Sequence, residues 1–268
     1  MRILLLADLH YRKPWFNWLA TQKVDLVLIA GDLLDSMTSG DSLIRQILYV
    51  RNWCAGYPGP LVLSSGNHDS NTQRGFIDPE ELEELSAKQC AAVAQLLEAP
   101  HWMDCLARPG VMTDGRSECL SMPGGEVVVT TIPYDYGWED DVRRDDLWVQ
   151  GAKLQRAKRV PWIVLHHEPP DGTYVGGERG DLTLSWKIRE YCPNFVVSGH
   201  LHEQPYRGSF AEKIDDTWCF NPGHPTASLA AKAPFPNHII LDLKARTATW
   251  YATPSTGKSP ITKKIRLT

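Results

Sequence analysis

In this 268-residue chain, the stretch "VLSSGNHDS" (Val62–Ser70) gives the strongest indication of the fold. An apolar run leads into Gly66, and Asn67, His68 and Asp69 follow without a gap. A cap or a turn would explain one polar residue at the end of a strand. Three in succession after a glycine indicate instead that a buried strand ends at a functional site.

Four other apolar runs end in a similar way, on carboxylates or histidines. Continuous apolar runs of this length, without polar alternation, are typical of strands buried on both faces of a sheet. Ligands bind beyond the carboxyl ends of such strands in open α/β sheets. The four runs are RILLLADLH (2–10), VDLVLIAGD (24–32), PWIVLHHEPP (161–170) and NFVVSGHLHE (194–203).

The segments between these runs have helical patterns. Residues 41–53 predict a helix capped by Asp41 or Ser42, and residues 79–99 predict a longer one capped by Asp78. The second half adds strands of antiparallel type, two of which form a hairpin. These strands are predicted at 126–135, 238–243, 248–253 and 263–268. The pattern predicts an α/β protein with helices packed outside mixed sheets.

No stretch is long or polar enough to mark a domain boundary, so the sequence predicts one domain over residues 1–268. The segment 70–120 lies between two predicted core strands and ends in a sequence rich in glycine and serine. It is therefore the best candidate for a lid or an insertion. Nothing in the sequence predicts the oligomeric state.

Composition limits the class of protein. The formal net charge of −4 does not favour binding to nucleic acid through phosphate neutralisation, although basic clusters exist. No apolar run approaches the roughly 18 residues that cross a membrane. The N-terminal apolar run is too short for a secretory signal, and the six cysteines form no C-x-x-C pair. We therefore expect a cytoplasmic protein with reduced thiols and no membrane partner.

The polar residues at the strand ends have the chemistry of metal ligands. Residues i and i+2 of an extended segment point the same way, so Asp8 faces with His10, and His200 with His202. Carboxylates, an amide and imidazoles suit divalent metals such as Mn²⁺, Fe or Zn²⁺. Seven such residues are too many for one catalytic ion and are about right for two ions that share a carboxylate. They are Asp8, His10, Asp32, Asn67, one histidine of the pair His166 and His167, His200 and His202.

Five motifs in this order resemble those of the calcineurin-like metallophosphoesterases, and the resemblance spans residues 1 to about 225. They are Asp8-Leu9-His10, Gly31-Asp32-Leu33-Leu34-Asp35, Gly66-Asn67-His68-Asp69, His166 or His167, and Gly199-His200-Leu201-His202. A later stretch, Phe220–Pro225, resembles the Asn-Pro-Gly turn that often follows them in this family. The resemblance implies a four-layer α-β-β-α sandwich with two mixed sheets.

The resemblance also implies a ligand set for two divalent ions, with Mn²⁺ expected and Fe, Zn, Ni or Mg as alternatives. Asp32 would bridge the two ions. The first ion would be held by Asp8, His10, Asp32 and His202, and the second by Asp32, Asn67, His166 and His200. His68 would bind no metal. It would face the phosphate as the catalytic residue that protonates the leaving group or stabilises the transition state.

One ligand position stays open, because "LHHEPP" offers two histidines where the family usually has one. His166 is preferred because it follows the strand directly, and His167 is the alternative. Five further residues are expected to orient the ligands or contact the substrate. These are Asp35, Asp69, His167, Asn221 and His224.

The implied reaction is hydrolysis of a phosphate ester by in-line attack of a hydroxide that bridges the two ions. A phosphodiester substrate, small or derived from a nucleotide, is the first choice. The alternatives are a DNA-processing nuclease subunit acting with a partner, or a phosphomonoesterase. An inactive interaction scaffold is least favoured, because no ligand of the family pattern is missing.

Overall fold

The computed structural model describes residues 1–70, 83–99, 101–134, 140–253 and 260–268, and its strands form two mixed sheets. The first sheet contains β1 (Arg2–Leu6), β2 (Leu26–Ala30), β3 (Leu61–Ser64), β4 (Val111–Met112), β11 (His238–Asp242), β12 (Thr247–Ala252) and β13 (Ile261–Arg266). Their order is β13-β12-β11-β1-β2-β3-β4. The strands from β1 to β4 are parallel, and β11 to β13 are added antiparallel.

The second sheet contains β5 (Arg116–Met122), β6 (Gly125–Thr131), β7 (Trp162–Leu165), β8 (Phe195–Val197), β9 (Ala211–Ile214) and β10 (Thr217–Phe220). Their order is β5-β6-β7-β8-β10-β9. The four central strands are parallel, and an antiparallel strand closes each edge. All five apolar runs that the sequence pointed to are central strands, which confirms the predicted α/β class with two mixed sheets.

The helices of the described residues are α1 (Lys13–Leu19), α2 (Leu43–Gly56), α3 (Ala87–Glu98), α4 (Asp140–Lys158), α5 (Leu182–Tyr191), α6 (Gln204–Arg207) and α7 (Ala227–Ala230). Within the described residues, 3₁₀ turns lie at Asn67–Asp69 and Trp102–Leu106. Ser42 caps α2, as one of the two predicted candidates. No helix within these described parts of the chain is long and apolar enough to cross a membrane.

The prediction of one continuous helix over residues 79–99 is wrong at Ser86. That residue is extended (φ −65°, ψ 156°), and its hydroxyl accepts a hydrogen bond from the Gln89 N–H. Gln89 bonds back to the Ser86 N–H, which completes a capping box at the start of α3. The predicted start at Asp78 lies outside the described residues.

The side chains of each sheet alternate between two cores. Ile3 and Leu5 of β1 share one buried cluster with Val129 of β6 and Ile163 of β7, so the two sheets face each other. The intervening residues Leu4 and Leu6 pack instead with side chains of α1 to α3. On the second sheet, alternate residues pack with α4 and α5. This order of layers agrees with the α-β-β-α arrangement expected from the sequence.

The segment 70–120 contributes to both sheets. Its described part contains α3, the turn at Trp102–Leu106, and β4 and most of β5. β4 pairs with β3 at one edge of the first sheet, and β5 pairs with β6 at one edge of the second. The lid itself remains a prediction.

Candidate metal centre

The centre lies at the carboxyl ends of β1, β2, β3, β7 and β8. Backbone hydrogen bonds continue the parallel ladders past the strand ends, from the Asp8 N–H to the Gly31 carbonyl (3.0 Å) and from the Gly199 N–H to the His167 carbonyl (2.8 Å). The His10 N–H likewise donates to the Asp32 carbonyl (2.9 Å). The loops that carry the polar residues are therefore held in register by the sheets themselves.

Four residues of the centre have backbone angles that L-amino acids rarely adopt. They are Asp8 (φ 56°), His10 (φ 42°), Asp32 (φ 54°) and His200 (φ 61°). Such conformations cost about 1–3 kcal/mol each and persist where the surrounding structure enforces them, which is often at functional sites. These strained residues lie just after buried strands, where hydrogen bonds to the neighbouring strands fix the backbone.

A first set of ligand atoms surrounds Asp8. The Nε2 atom of His202 lies 3.2 Å from Asp8 Oδ1 and 3.1 Å from His10 Nε2. His10 Nε2 is also 3.8 Å from Asp32 Oδ2. One atom from each of Asp8, His10, Asp32 and His202 falls within a span of 4.8 Å. The structure thus brings together the four residues predicted for the first ion.

A second set meets the first at Asp32. Asn67 Oδ1 is 3.1 Å from His167 Nε2 and 2.9 Å from His200 Nδ1. His167 Nε2 is 3.3 Å from Asp32 Oδ2, which gives Asp32 a place in both sets. His200 approaches through Nδ1, whereas His202 approaches through Nε2.

The structure brings His167 into the centre in place of His166, which corrects the preference drawn from the sequence. His167 Nδ1 lies 2.8 Å from the Ala30 carbonyl oxygen and donates there, so Nε2 is the ring nitrogen that faces Asp32. His166 Nε2 lies instead 3.3 Å from Asp181 Oδ2, on the helix side of the sheet. The two side chains diverge because successive residues of an extended segment point to opposite faces.

Two glycines provide the space for this arrangement. A Cβ atom on Gly66 would overlap Asp32 Oδ1, and a Cβ atom on Gly31 would overlap His167 Nδ1. Gly31 also has a φ of 85°, a conformation that side chains disfavour. The glycines that precede the polar clusters in sequence therefore allow the carboxylate and the imidazole to pack against backbone.

His68 is held beside the two sets with its Nε2 directed inwards. Its Nδ1 accepts from the Ser36 N–H (3.1 Å) and lies 2.9 Å from Ser36 Oγ. A neutral ring with an accepting Nδ1 carries its proton on Nε2, and this atom is 4.0 Å from Asp32 Oδ2. The His68 N–H also donates to Asp32 Oδ1 (2.9 Å). The His68 ring is therefore placed to donate a hydrogen bond into the centre.

Ser36 is a site residue that the motif pattern did not point to. Asp35 was expected to orient the site, but its carboxylate accepts from the Met37 N–H (3.1 Å), the Thr38 N–H (2.8 Å) and the Thr38 hydroxyl. Asp35 therefore shapes its own loop, and the next residue contacts His68. The only signal in the sequence was that Ser36 directly follows Asp35, the last residue of the second motif.

Asp69 connects the loops after β2 and β3. Its carboxylate accepts from the N–H groups of Leu33 (3.1 Å), Leu34 (3.0 Å) and Gly66 (3.0 Å). Burial and the neighbouring Asp32 raise the pKa of Asp69 to about 7, although the three backbone donors favour its ionised form. The carboxyl group thus connects the loops that carry Asp32 and Asn67.

Asn221 and His224 lie behind the ligands of the first set. The Asn221 amide donates to the carbonyls of Gly199 (3.2 Å) and Leu201 (3.3 Å), which fixes the loop that carries His200 and His202. The His224 ring packs against those of His10 (5.2 Å between centroids) and His202 (4.8 Å). Burial and the nearby His202 lower the pKa of His224 to about 3, so this ring is neutral.

The electrostatics of the centre favour bound cations. Burial would raise the pKa of Asp8, but His202, His167 and His10 outweigh it and hold that pKa below its usual range. The pKa of Asp32 is lowered against burial in the same way, mainly by His167. Burial and His167 lower the pKa of His200 to about 4. Two ionised carboxylates thus lie among imidazoles that are crowded together.

The donor set fits two divalent ions. Asp8 Oδ2 is buried and has no hydrogen-bond partner among the described residues. The Nε2 atoms of His10 and His202 lie 3.1 Å apart with Asp8 and Asp32 beside them, an arrangement that a bound cation would satisfy. On the other side, Asn67, His167 and His200 converge on the same Asp32. Carboxylate, amide and imidazole ligands in this number match a pair of ions with a shared carboxylate.

Comparisons with known proteins identify the family of this chain. The family model of calcineurin-like phosphoesterases matches residues 1–204, and the comparison with curated proteins gives no match. The protein TT1561 of Thermus thermophilus has 15% identity over 99% of both chains, with a TM-score of 0.52. A Staphylococcus aureus protein described as a candidate 5′-nucleotidase has 11% identity and a TM-score of 0.50, and the match covers 100% of this chain and 54% of that one. At these identities the two structures show the fold alone. Because the family model covers most of the sequence, the chain belongs to the calcineurin-like phosphoesterase family.

Proposed function

We propose that the protein is a phosphodiesterase with a dinuclear metal centre. The observation that carries this proposal is that two sets of ligand atoms share one carboxylate, Asp32. One ion is assigned to Asp8, His10, Asp32 and His202, and the other to Asp32, Asn67, His167 and His200. The expected metal is Mn²⁺, because the mixed oxygen and nitrogen donors suit ions of that type.

When bound, two divalent ions supply Lewis acidity and make water acidic enough to act as a nucleophile near neutral pH. The chain contributes the geometry of the reaction. Ala30 holds the proton of His167 at Nδ1, and Asp69 holds the loops of Asp32 and Asn67 together. These contacts keep the ligands in place without binding the substrate.

His68 is the proposed catalytic residue. Ser36 occupies its Nδ1, so the proton stays at Nε2 and is available to an oxygen of the substrate. A donor at this position stabilises the charge that develops on the leaving oxygen or on the phosphoryl group. Removing the imidazole should reduce the chemical step and leave both ions bound.

A cleft beside His10 supports a diester over a monoester. It has a volume of about 470 Å³ and is lined by residues of the loops after β1 and β2 together with Ala230, Ala231 and Ala233. A diester has a second ester group that needs such space next to the reacting phosphorus, whereas a monoester has none. The formal net charge of −4 makes extended nucleic acid a less favoured substrate.

The test is to strip the purified protein of metal, restore Mn²⁺, and compare hydrolysis of bis-p-nitrophenyl phosphate with that of p-nitrophenyl phosphate. Asp32→Ala serves as the blank, and metal content is measured for both proteins. Metal-dependent turnover with a higher kcat/KM for the diester is expected. A higher kcat/KM for the monoester would replace the diesterase with a phosphomonoesterase. No turnover of either substrate with two ions bound would contradict the proposal.

A further inference from the structure

The cleft beside His10 has a charge pattern that the proposed reaction does not use. Arg12 and Lys13 line it together with Asp35 and Asp41. Lys13 is engaged, because its Nζ lies 2.8 Å from Asp41 Oδ2, which also accepts from the Tyr11 hydroxyl (2.8 Å). The Asp35 carboxylate is engaged by Met37 and Thr38. Three of the four charged groups on this wall therefore have partners within the cleft loops.

Arg12 is the exception. No hydrogen bond or ion pair joins its guanidinium to another residue in the described parts of the chain, and its Nε is buried without a hydrogen-bond partner. A buried donor without an acceptor is unfavourable, and a guanidinium is most often paired with a carboxylate or a phosphate. The Asp35 carboxylate attracts the charge of Arg12 without forming a hydrogen bond to it, so the guanidinium N–H groups have no acceptor among the described residues and can bind a ligand.

The position of Arg12 is fixed relative to the metal centre. Its guanidinium carbon lies 5.5 Å from the centroid of the Trp15 ring, and the Trp15 Nε1–H donates to the Ala233 carbonyl (3.1 Å). Trp15 also contacts His224, at 5.3 Å between ring centroids, and His224 contacts His10. A series of edge-to-face ring contacts thus joins Arg12 to His10, a residue assigned to the first ion.

We propose that Arg12 binds a second phosphate group of the substrate, carried by the ester group that occupies the cleft. The inference rests on the proposed phosphodiesterase function and names its substrate class: phosphodiesters whose non-leaving group has a further phosphate. Phosphate offers several anionic oxygens in the geometry that a guanidinium binds through two N–H groups. Arg12 is then a specificity residue and takes no part in the chemical step.

Two matched substrates test this. Thymidine 5′-(p-nitrophenyl phosphate) and its 3′-phosphorylated form have the same scissile bond and leaving group, and differ only in the second phosphate. The wild-type kcat/KM should be higher for the 3′-phosphorylated form. Arg12→Gln should reduce the ratio of the two kcat/KM values by about 10- to 100-fold, as expected for the loss of charge-assisted hydrogen bonds. Arg12→Lys, which retains the charge without the planar fork, should give an intermediate ratio.

Lys13→Gln is the control, because it removes a neighbouring cation of the same cleft that is already paired with Asp41. It should change the ratio by less than about twofold, as expected for a paired surface charge. A wild-type ratio near one, or a ratio that Arg12→Gln leaves unchanged, would overturn the inference.

A binding measurement distinguishes a failure of this inference from a failure of the proposed function. If neither substrate is hydrolysed, calorimetry of the Mn²⁺-loaded protein with thymidine 3′,5′-bisphosphate and with thymidine 5′-phosphate gives the same comparison without turnover. Tighter binding of the bisphosphate that is lost in Arg12→Gln would support the subsite even though the proposed reaction had failed. Equal binding of the two nucleotides would overturn it.

Discussion

His166 and His167 follow β7 in succession and belong to two regions on opposite faces of the same sheet. The inner region, around His167, contains Asp8, Asp32 and Asn67. The outer region, around His166, contains Asp181 and lies against α4 and α5. Each region thus pairs a buried imidazole with a carboxylate at 3.3 Å, and only the inner one lies among the family motifs.

The two carboxylates differ in their other partners. Asp181 caps α5 by accepting from the Leu184 N–H (3.0 Å) and lies 3.9 Å from Arg144 Nη2. His166, the Leu184 N–H and Arg144 lower the pKa of Asp181 to about 2 even though burial opposes them. Asp32 has no arginine or lysine partner among the described residues and faces imidazoles instead. In the outer region, Arg144 and the N-terminus of α5 already balance the charge of Asp181. We therefore interpret the pair of His166 and Asp181 as a structural contact.

The largest effect should separate the two carboxylates. Asp32→Asn removes the charge shared by both ligand sets, so kcat/KM with bis-p-nitrophenyl phosphate should fall by about 10³-fold or more. Asp181→Asn retains a good helix cap and should change it by less than about threefold. The measurement is steady-state kinetics with Mn²⁺, with metal content as the control. Equal losses would show that the outer region takes part in the reaction.

The next comparison replaces each of the two histidines by asparagine. His167→Asn should release one of the two ions and lower kcat/KM by about 10²–10³-fold, because a ligand of the second ion is lost. His166→Asn should retain both ions. Elemental analysis of the two variants after dialysis against Mn²⁺ measures the difference. If His166→Asn were the variant that lost an ion, the assignment of the ligand would be reversed.

A smaller effect on kcat/KM is expected when a side chain fills the space beside His167. Gly31→Ala would push a Cβ into the His167 ring, and Gly172→Ala adds one in open space. Both glycines have positive φ, at 85° and 71°, so both variants share the backbone strain of about 1 kcal/mol. Only Gly31→Ala should also lower kcat/KM, by about 10- to 100-fold. Thermal unfolding and kinetics of both variants measure strain and displacement separately, and equal kinetics would rule out the packing argument.

The smallest effect concerns the pH dependence of the thermal stability of the metal-free protein. Burial lowers the pKa of His167, but Asp32 and Asp8 outweigh it and raise the pKa from 6.5 to about 10. The folded state therefore holds this proton more tightly, so its stabilisation is complete below pH 6.5 and is lost as pH rises through about 10. The Tm in EDTA should fall over this range, and His167→Asn should flatten the fall.

His166→Asn is the matched control for the pH profile and should retain the wild-type slope. Saturating Mn²⁺ should reverse the trend, because the ion replaces the proton and binds more tightly as pH rises. Differential scanning at a series of pH values measures both. A slope that is the same in wild type and His167→Asn would mean that the proton resides on another group.

The sequence alone determined the elements that carry the centre. Unbroken apolar runs predicted β1, β2, β3, β7 and β8 because strands buried on both faces show no polar alternation. The polar clusters after those runs predicted that six residues would meet at one edge of the sheet, since parallel strands bring their carboxyl ends together. These residues are Asp8, His10, Asp32, Asn67, His200 and His202. Both signals are local in sequence and repeat at each strand.

Tertiary structure alone decided three features. The direction of β7 and its pairing placed His167 inside and His166 outside, a distinction that two identical neighbouring residues do not encode. The packing of the loop after β2 brought Ser36, and not Asp35, to His68. The edge-to-face contact of Trp15 with His224 placed Arg12 beside the centre. Each depends on contacts between segments far apart in the chain, and side-chain direction there follows from packing and not from residue type.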